Sequence, residues 1–298
     1  RRRLARLIAA FAPDHLHIAT EGPLGWSARA WARRNGAAFT TSFHTKFAEY
    51  LHARTRIPVA WTYAWLRRFH APSSAVLAAT PSLRAELARR GFANVRAWTR
   101  GVDLALFRPR GEEDGPPEDF GVPPPVFLYV GRIAVEKNIR AFLDLDLPGA
   151  KVVVGDGPQL AALRRDYPRV LFLGARFGEA LARAYAGADV FVFPSLTDTF
   201  GLVMLEALAC GTPVAAFPVT GPLDVLGAAP GAIGAIDSDL RRAALTALQG
   251  DRAACRAAAE RYSWRACAEG FLGALVGLHA GAVPPCASAP GRTLPEAS

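Results

Sequence analysis

The stretch 194–213, PSLTDTFGLVMLEALACGTP, places two carboxylates around the start of a predicted helix. Asp198 precedes the first helical turn, and Glu206 lies inside an otherwise apolar helix. The first turn of a helix carries unpaired backbone N–H groups and partial positive charge, and Gly201 would let an anion approach them closely. The stretch therefore predicts an anion site. The residues alone also allow Asp198 or Thr199 to be an ordinary helix cap and Glu206 to meet a buried arginine.

A pair of cations follows a second predicted strand, Val126–Val130. Arg132 and Lys137 come directly after that strand, and in open α/β sheets ligands bind beyond the carboxyl ends of the strands. We therefore expect both cations to face the same crevice as the helix start. Two cations and a helix N-terminus would stabilise a departing diphosphate. The residues alone also allow Arg132 and Lys137 to be solvated surface charges.

Two further motifs predict no metal and no cofactor. The triplet 144–146, Asp-Leu-Asp, resembles an acidic metal motif but lies at the end of a predicted helix before Pro148 and Gly149. The triplet 155–157, Gly-Asp-Gly, lacks a third small residue at Leu160, which excludes a dinucleotide fingerprint.

Predicted strands and helices alternate along the chain, and the strands are nearly continuous apolar runs. This pattern favours parallel, doubly wound sheets. We expect Ser82 to cap a helix over Leu83–Arg90, and another helix to begin near Phe200. The predicted strands are His15–Ala19, Ala37–Thr41, Ala75–Ala79, Val126–Val130, Val152–Val154, Val170–Leu173, Val190–Phe193 and Pro213–Phe217.

The acidic, Pro- and Gly-rich run 111–125 is the clearest linker in the chain. We expect a partial first domain over 1–110, the linker over 111–125, a second domain over 126–262, a helix crossing back towards the first domain over 263–280, and a disordered tail over 281–298.

Composition and charge exclude several classes of protein. The chain has 298 residues, of which 51% are hydrophobic and 20% charged, so it is not a disordered protein. Its four cysteines have no CxxC spacing, which argues against a disulfide scaffold or a cysteine zinc site. Residues 1–108 hold 18 Lys and Arg against 5 Asp and Glu, whereas the remainder is mildly acidic. The first half is therefore expected to face an anionic surface.

Four stretches of the second half resemble the retaining glycosyltransferases of family 4, which have the GT-B fold. They are GRIAVEKN (131–138), VVVGDGP (152–158), ADVFVFPS (188–195) and TDTFGLVMLEALACGTPV (197–214). The family signature is two glutamates separated by seven residues, and here Asp198 stands in the first place. IATEGPLG (18–25), TTSFHTKFAEYL (40–51) and WTRGVDLALFRP (98–109) are similar to the branch that glycosylates membrane lipids or lipid-linked mannosides in bacteria. The resemblance covers roughly residues 13–280.

The resemblance implies two Rossmann-like domains facing a cleft, and it implies roles for matching residues. Arg132 and Lys137 would hold the donor diphosphate, and His44 would face the transferred sugar, although a structural histidine is the alternative. Asp198 would bind sugar hydroxyls and Glu206 the ribose. The full set implied for donor binding is Gly131, Gly155, Asp198, Thr199, Phe200, Gly201, Leu202 and Glu206.

The function expected from this resemblance is metal-independent, retaining transfer of a hexosyl unit from a UDP- or GDP-linked sugar to a membrane lipid such as diacylglycerol. The family usually opens with a strand and a Gly-rich loop that we do not find before His15, so we expect the first domain to be N-terminally truncated. The alternatives are a nucleotide-sugar-binding remnant without turnover, or a GDP-mannose-dependent mannosyltransferase with another acceptor.

Arginines interleaved with aromatic residues predict that the first half binds an anionic membrane surface. They are Arg29, Trp31, Arg33, Arg34, Arg54, Arg56, Trp61, Tyr63, Trp65, Arg67 and Arg68. The alternative is that these aromatic residues belong to the core and the arginines are solvated. We therefore expect a cytoplasmic protein peripherally associated with the inner face of the membrane. No helix-turn-helix, zinc or RNP pattern indicates nucleic acid.

Overall fold

The computed structural model describes residues 2–44, 47–111, 118–196, 198, 200–227 and 231–278. Within these residues the chain forms two parallel β-sheets with helices packed against them. This arrangement confirms the doubly wound α/β fold predicted from the alternating pattern. The predicted tail over 281–298 and residues 112–117 of the predicted linker lie outside the described residues, and the domain boundaries stay predictions.

The first sheet has four strands in the order β1-β2-β3-β4. Its elements are α1 (Arg2–Phe11), β1 (His17–Ile18), α2 (Pro23–Arg34), β2 (Thr40–Phe43), α3 (Phe47–Thr55), α4 (Val59–His70), β3 (Ala75–Ala78), α5 (Pro81–Arg89) and β4 (Val95–Ala97).

The second sheet has six strands in the order β10-β9-β8-β5-β6-β7. Its elements are β5 (Val126–Val130), α6 (Ile139–Leu143), β6 (Ala150–Val154), α7 (Leu160–Asp166), β7 (Leu171–Gly174), α8 (Gly178–Gly187), β8 (Val190–Phe193), α9 (Leu202–Ala209), β9 (Val214–Ala216), α10 (Thr220–Leu226), β10 (Gly234–Ile236), α11 (Leu240–Ala247) and α12 (Arg252–Glu260).

The core of the second half lies on both faces of its sheet. Successive residues of one strand point to opposite faces, so Phe127 and Val190 belong to one apolar cluster while Leu128 and Phe191 belong to the other. All four side chains are fully buried. This two-sided burial explains why the central strands are continuous apolar runs in the sequence.

A last helix, α13 (Trp264–Ala274), returns from the second half to the first. The ring of Phe271 lies 5.1 Å from that of Trp98. Beyond the helix, the Leu278 N–H donates to the Asp14 carbonyl, and the Leu278 carbonyl accepts from Ala38, both at 3.0 Å. The end of the described chain is therefore attached to the first sheet.

The two halves also meet where α5 approaches α10. The backbone N–H and the hydroxyl of Ser82 donate to one carboxylate oxygen of Asp224, at 3.2 and 2.9 Å. The prediction that Ser82 caps α5 is therefore wrong. The cap is Thr80, whose hydroxyl accepts from the Leu83 N–H at 3.2 Å, and the helix starts at Pro81.

Candidate active site

A cavity of about 450 Å³ lies where β2, β5 and β8 end, and both halves of the chain line it. Most of the predicted site residues surround this one cavity: His44, Gly131, Arg132, Lys137, Asp198, Phe200, Gly201 and Leu202. Gly155 and Glu206 are not among its described lining residues, and Thr199 lies outside the described residues. The carboxyl ends of strands in both sheets thus converge on a shared cleft, as the rule for open α/β sheets predicts.

Lys137 and Asp198 form the central ion pair of the cleft. The Lys137 ammonium donates to both carboxylate oxygens of Asp198, at 2.7 and 2.9 Å, and both side chains are partly exposed to the cleft. Asn138, in the left-handed region at φ 53°, follows Lys137 and donates from its side chain to the Pro194 carbonyl at 3.0 Å. The ion pair and the hydrogen bond from Asn138 therefore both connect the loop after β5 to the loop after β8.

Arg132 has an anchored backbone and a largely solvated side chain. Its carbonyl accepts from the buried Tyr129 hydroxyl at 2.9 Å, and burial raises the pKa of Tyr129. Its guanidinium is 65% exposed and lies 3.5 Å from Glu136. Because surface ion pairs of this kind contribute little, the guanidinium is available to an anion in the cleft.

The helix start at the cleft has a glycine cap. Gly201 precedes α9 at φ 77°, and no described side chain caps the first turn. The positive φ favours glycine at this position, and a Cβ there would lie 2.8 Å from Met204 Cε and 3.1 Å from Phe193 Cζ, so these side chains would have to shift. The helix begins at Leu202 instead of near Phe200. Asp198 pairs with Lys137 and is not the cap.

Glu206 meets a tyrosine, so the alternative of a buried arginine partner is wrong. The hydroxyl of the fully buried Tyr185 donates to the Glu206 carboxylate at 2.9 Å. Burial raises the pKa of Glu206, and this hydrogen bond opposes the effect. Gly155 is needed for close packing, because a Cβ there would lie 1.9 Å from the Gly131 carbonyl oxygen. The donor-binding roles of Glu206 and Gly155 stay predictions.

His44 lines the cleft from the first half and contacts a cation, Arg100, that no predicted site includes. Arg100, which follows β4, also lines the cavity, and its Nη2 lies 2.5 Å from His44 Nδ1. Its only sequence signal was its place in the quoted stretch WTRGVDLALFRP.

Two residues of the predicted membrane-facing set lie in the interior. Arg29 is only 8% exposed, and its guanidinium donates to the Arg68 and Phe69 carbonyls at 2.8 Å, at the end of α4. Tyr63 is buried beneath the guanidinium of Arg90. Arg29 and Tyr63 therefore stabilise the fold instead of facing a membrane.

Apolar side chains of α3 and α4 form an open groove, which we call the α3–α4 groove. Its volume is about 290 Å³, and its lining residues are Phe47, Leu51, Ile57, Trp61, Thr62 and Trp65. Trp61 is 72% exposed.

In the described parts of the chain no helix has the length and apolarity needed to cross a membrane. In the same residues no group of three or more His, Cys, Asp and Glu side chains could hold a metal ion.

Two protein-family models match the chain. The model described as "Glycosyl transferases group 1" matches residues 124–249, and "Glycosyltransferase Family 4" matches residues 1–106. Together they span both sheets and the strand ends that line the cleft.

Curated relatives match across most of the chain. A GDP-mannose-dependent alpha-mannosyltransferase of Mycobacterium tuberculosis is 35% identical over 75% of this chain and 60% of its own length. The sulfoquinovosyl transferase SQD2 of Arabidopsis thaliana is 32% identical over 75% of this chain and 46% of its own. The chain thus spans 60% or less of the length of these relatives.

Solved structures share the fold. A sucrose-phosphate synthase from Thermosynechococcus elongatus superposes with a TM-score of 0.70 at 25% identity, covering 90% of this chain and 74% of its own. Anabaena HepE in complex with UDP and glucose gives 0.68 at 16% identity, covering 91% and 80%. These likenesses establish the GT-B fold.

Proposed function

The chain belongs to glycosyltransferase family 4, and we propose that it transfers a hexosyl unit from a nucleotide diphosphate sugar to a lipid-linked acceptor, with retained anomeric configuration. The observation that carries this proposal is the shared cleft. Arg132, Lys137 and the start of α9 line it from the second half, and His44 lines it from the first.

The donor diphosphate would lie against Arg132, Lys137 and the first turn of α9. Cations and unpaired backbone N–H groups both stabilise phosphate oxygens, and their strength increases in a cleft from which water is excluded. Asp198 would accept hydrogen bonds from sugar hydroxyls while it orients the Lys137 ammonium. Since the Mycobacterium tuberculosis relative is named GDP-mannose-dependent, GDP-mannose is the first donor to test and UDP-glucose the second.

The proposed chemistry needs no covalent intermediate on the protein. Asp198 is the only carboxylate among the described lining residues, and Lys137 holds both of its oxygens. The acceptor hydroxyl oxygen would bond to the anomeric carbon on the face that the diphosphate leaves. The sugar–phosphate bond breaks as it attacks, and a phosphate oxygen takes the hydroxyl proton. The protein would contribute positioning and stabilisation of the leaving group, with no metal.

The acceptor is proposed to be a membrane lipid, such as diacylglycerol or a lipid-linked mannoside. The α3–α4 groove would meet the lipid surface, because exposed tryptophans partition to membrane interfaces and Arg67 and Arg68 are exposed close to Trp65 in the chain. We propose peripheral association with the inner face of the cytoplasmic membrane.

The decisive variant is Lys137→Met. We expect turnover to fall by about 10²–10³-fold, because a charge that stabilises the leaving group is lost. Arg165→Gln is the matched control, since the Arg165 side chain is 80% exposed and does not line the cleft. Transfer to a lipid acceptor, donor binding by calorimetry and the midpoint of thermal unfolding should be measured together.

Normal specific activity with a lowered unfolding midpoint would contradict this role of Lys137. Donor binding by the unmodified chain without product release would favour the alternative, a nucleotide-sugar-binding protein without turnover.

Vesicle co-sedimentation tests the membrane proposal separately. Trp61→Ser should weaken binding to anionic vesicles, whereas Phe177→Ser, an equally exposed aromatic residue of the second half, should not. Binding that is insensitive to anionic lipid would remove the membrane surface from the proposal.

A further inference from the structure

The contact between Arg100 and His44 fixes which nitrogen of the imidazole carries the proton. A guanidinium has N–H donors and no acceptor, and it stays charged in proteins. The nitrogen that faces it, His44 Nδ1 at 2.5 Å, must therefore accept. A neutral imidazole has a single N–H, so the proton of His44 lies on Nε2.

Three contacts with residues 262–267 fix the backbone on both sides of Arg100 in the chain. The Val102 N–H donates to the Tyr262 carbonyl at 2.8 Å, and the Cys267 thiol contacts the Thr99 carbonyl at 3.2 Å. Between them, a Cβ on Gly101 would lie 2.7 Å from the Trp264 ring, so this ring packs directly against the chain. The guanidinium thus extends from a fixed backbone.

The side chain of Arg100 is also directed by stacking. Its guanidinium carbon lies 5.0 Å from the centre of the Trp98 ring, and the His44 ring lies 5.7 Å from the same tryptophan. A guanidinium above an aromatic face is stabilised by the ring electrons. Trp98 therefore holds the arginine and the histidine together.

The charges around His44 favour its neutral form. Burial lowers the pKa of His44 first, the charge of Arg100 lowers it further, and Glu21 opposes them. His17, on β1, also interacts with His44, and burial lowers the pKa of His17 to about 4. Cys267 faces Arg100 from α13. A second positive charge on the imidazole would repel Arg100 and would replace its acceptor with a donor.

We propose that Arg100 is a positioning residue that holds His44 as the neutral tautomer protonated on Nε2. This form can donate a hydrogen bond to a sugar oxygen through a defined nitrogen without adding charge to the cleft. The contact with sugar rests on the proposed function, whereas the tautomer does not.

Nitrogen-15 NMR of the histidine side chains, recorded on the substrate-free protein, tests the tautomer directly. His44→Gln assigns the signal among the six histidines. We expect Nδ1 of His44 to be unprotonated and Nε2 protonated from pH 6 to 8. Arg100→Met should raise the pKa of His44 and give a mixture of tautomers, while Arg100→Lys should largely preserve both. Arg96→Met, an exposed arginine on β4, is the matched control and should change neither.

Activity provides the second measurement. In Arg100→Met the low-pH limb of kcat/KM should move towards neutral pH, because loss of the neighbouring positive charge raises the pKa of His44 and lowers its neutral fraction at low pH. A protonated Nδ1 in the unmodified protein, or an unchanged His44 signal and pH profile in Arg100→Met, would overturn the proposal. The expected NMR signature without any sugar transfer would instead count against the proposed function.

Discussion

The two halves of the molecule have different interiors. The second half is filled with apolar side chains, and Ser195 and Thr212 are its only buried polar or charged residues in the described part of the chain. The first half has a smaller sheet and buries more such residues: Arg29, Thr40, Thr41, Ser42, Thr62, His70, Ser73 and Thr80.

The polar residues of the first half form a network around β2. His17 bonds to Thr40 and Ser42 on one face of the strand, at 2.8 and 2.6 Å. His70 bonds to Thr41 on the other face, at 2.8 Å. Directional bonds on both faces fix the register of a strand in a way that apolar packing alone does not.

The two sides of the cleft are therefore positioned by different means. His44 follows β2 directly, so its place depends on hydrogen bonds to that strand. Lys137 and Asp198 follow strands that are held by packing, and the loop after β5 lies directly against the backbone of Gly155, which has no side chain.

The prediction with the largest expected effect concerns the apolar interior of the second half. Phe191→Ala should lower the free energy of unfolding by about 3–5 kcal/mol, since it opens a cavity beside Tyr185 and Phe193. Urea denaturation measures this, and Phe177→Ala on the surface should change the value by less than about 0.5 kcal/mol. A loss below about 1 kcal/mol for Phe191→Ala would mean that packing does not dominate this half.

A prediction with a smaller expected effect concerns the polar interior of the first half. In His70→Leu the new side chain has a similar volume but cannot form the hydrogen bonds to Thr41 and Glu21. The free energy of unfolding should therefore fall by about 1–3 kcal/mol. His70→Gln keeps one donor and one acceptor and should lose less in the same denaturation experiment. Equal or higher stability of His70→Leu would show that the network does not stabilise the first half.

The third prediction concerns the dependence of stability on pH. Burial, and secondarily the charge of His44, lowers the pKa of His17 from 6.5 to about 4, so the unfolded chain binds a proton that the folded chain rejects between these values. The contribution of His17 to stability is therefore complete above pH 6.5 and is lost as the pH falls towards 4. His17→Gln should flatten this part of the curve of unfolding free energy against pH. A curve parallel to that of the unmodified protein would contradict the assignment.

The sequence predicts the second half better than the first, for physical reasons. Val126–Val130 and Val190–Phe193 are strands over the predicted residues because two-sided burial produces unbroken apolar runs. β4 and β10 were not predicted, since each has three residues without such a run and depends on a neighbouring strand. β2 lies at Thr40–Phe43, later than the predicted Ala37–Thr41, because its polar residues give no apolar signal and the Ala38 N–H bonds to Leu278.

The site residues of the second half were also easier to predict from the sequence than those of the first half. Arg132 and Lys137 were predictable because they follow an evident strand and the rule for strand ends applies to them. Arg100 was missed because it follows an unpredicted strand and contacts a histidine 56 positions earlier in the chain. Arg29 was predicted on the surface, yet it neutralises the last carbonyls of α4, a partner that periodicity does not reveal.

The bonds from Ser82 to Asp224 have a mechanical consequence. A helix start in one half is satisfied by a carboxylate of the other, so this contact joins the two halves beside the cleft. A displacement that separated α5 from α10 would return the carboxylate and the helix start to water and would lose both bonds.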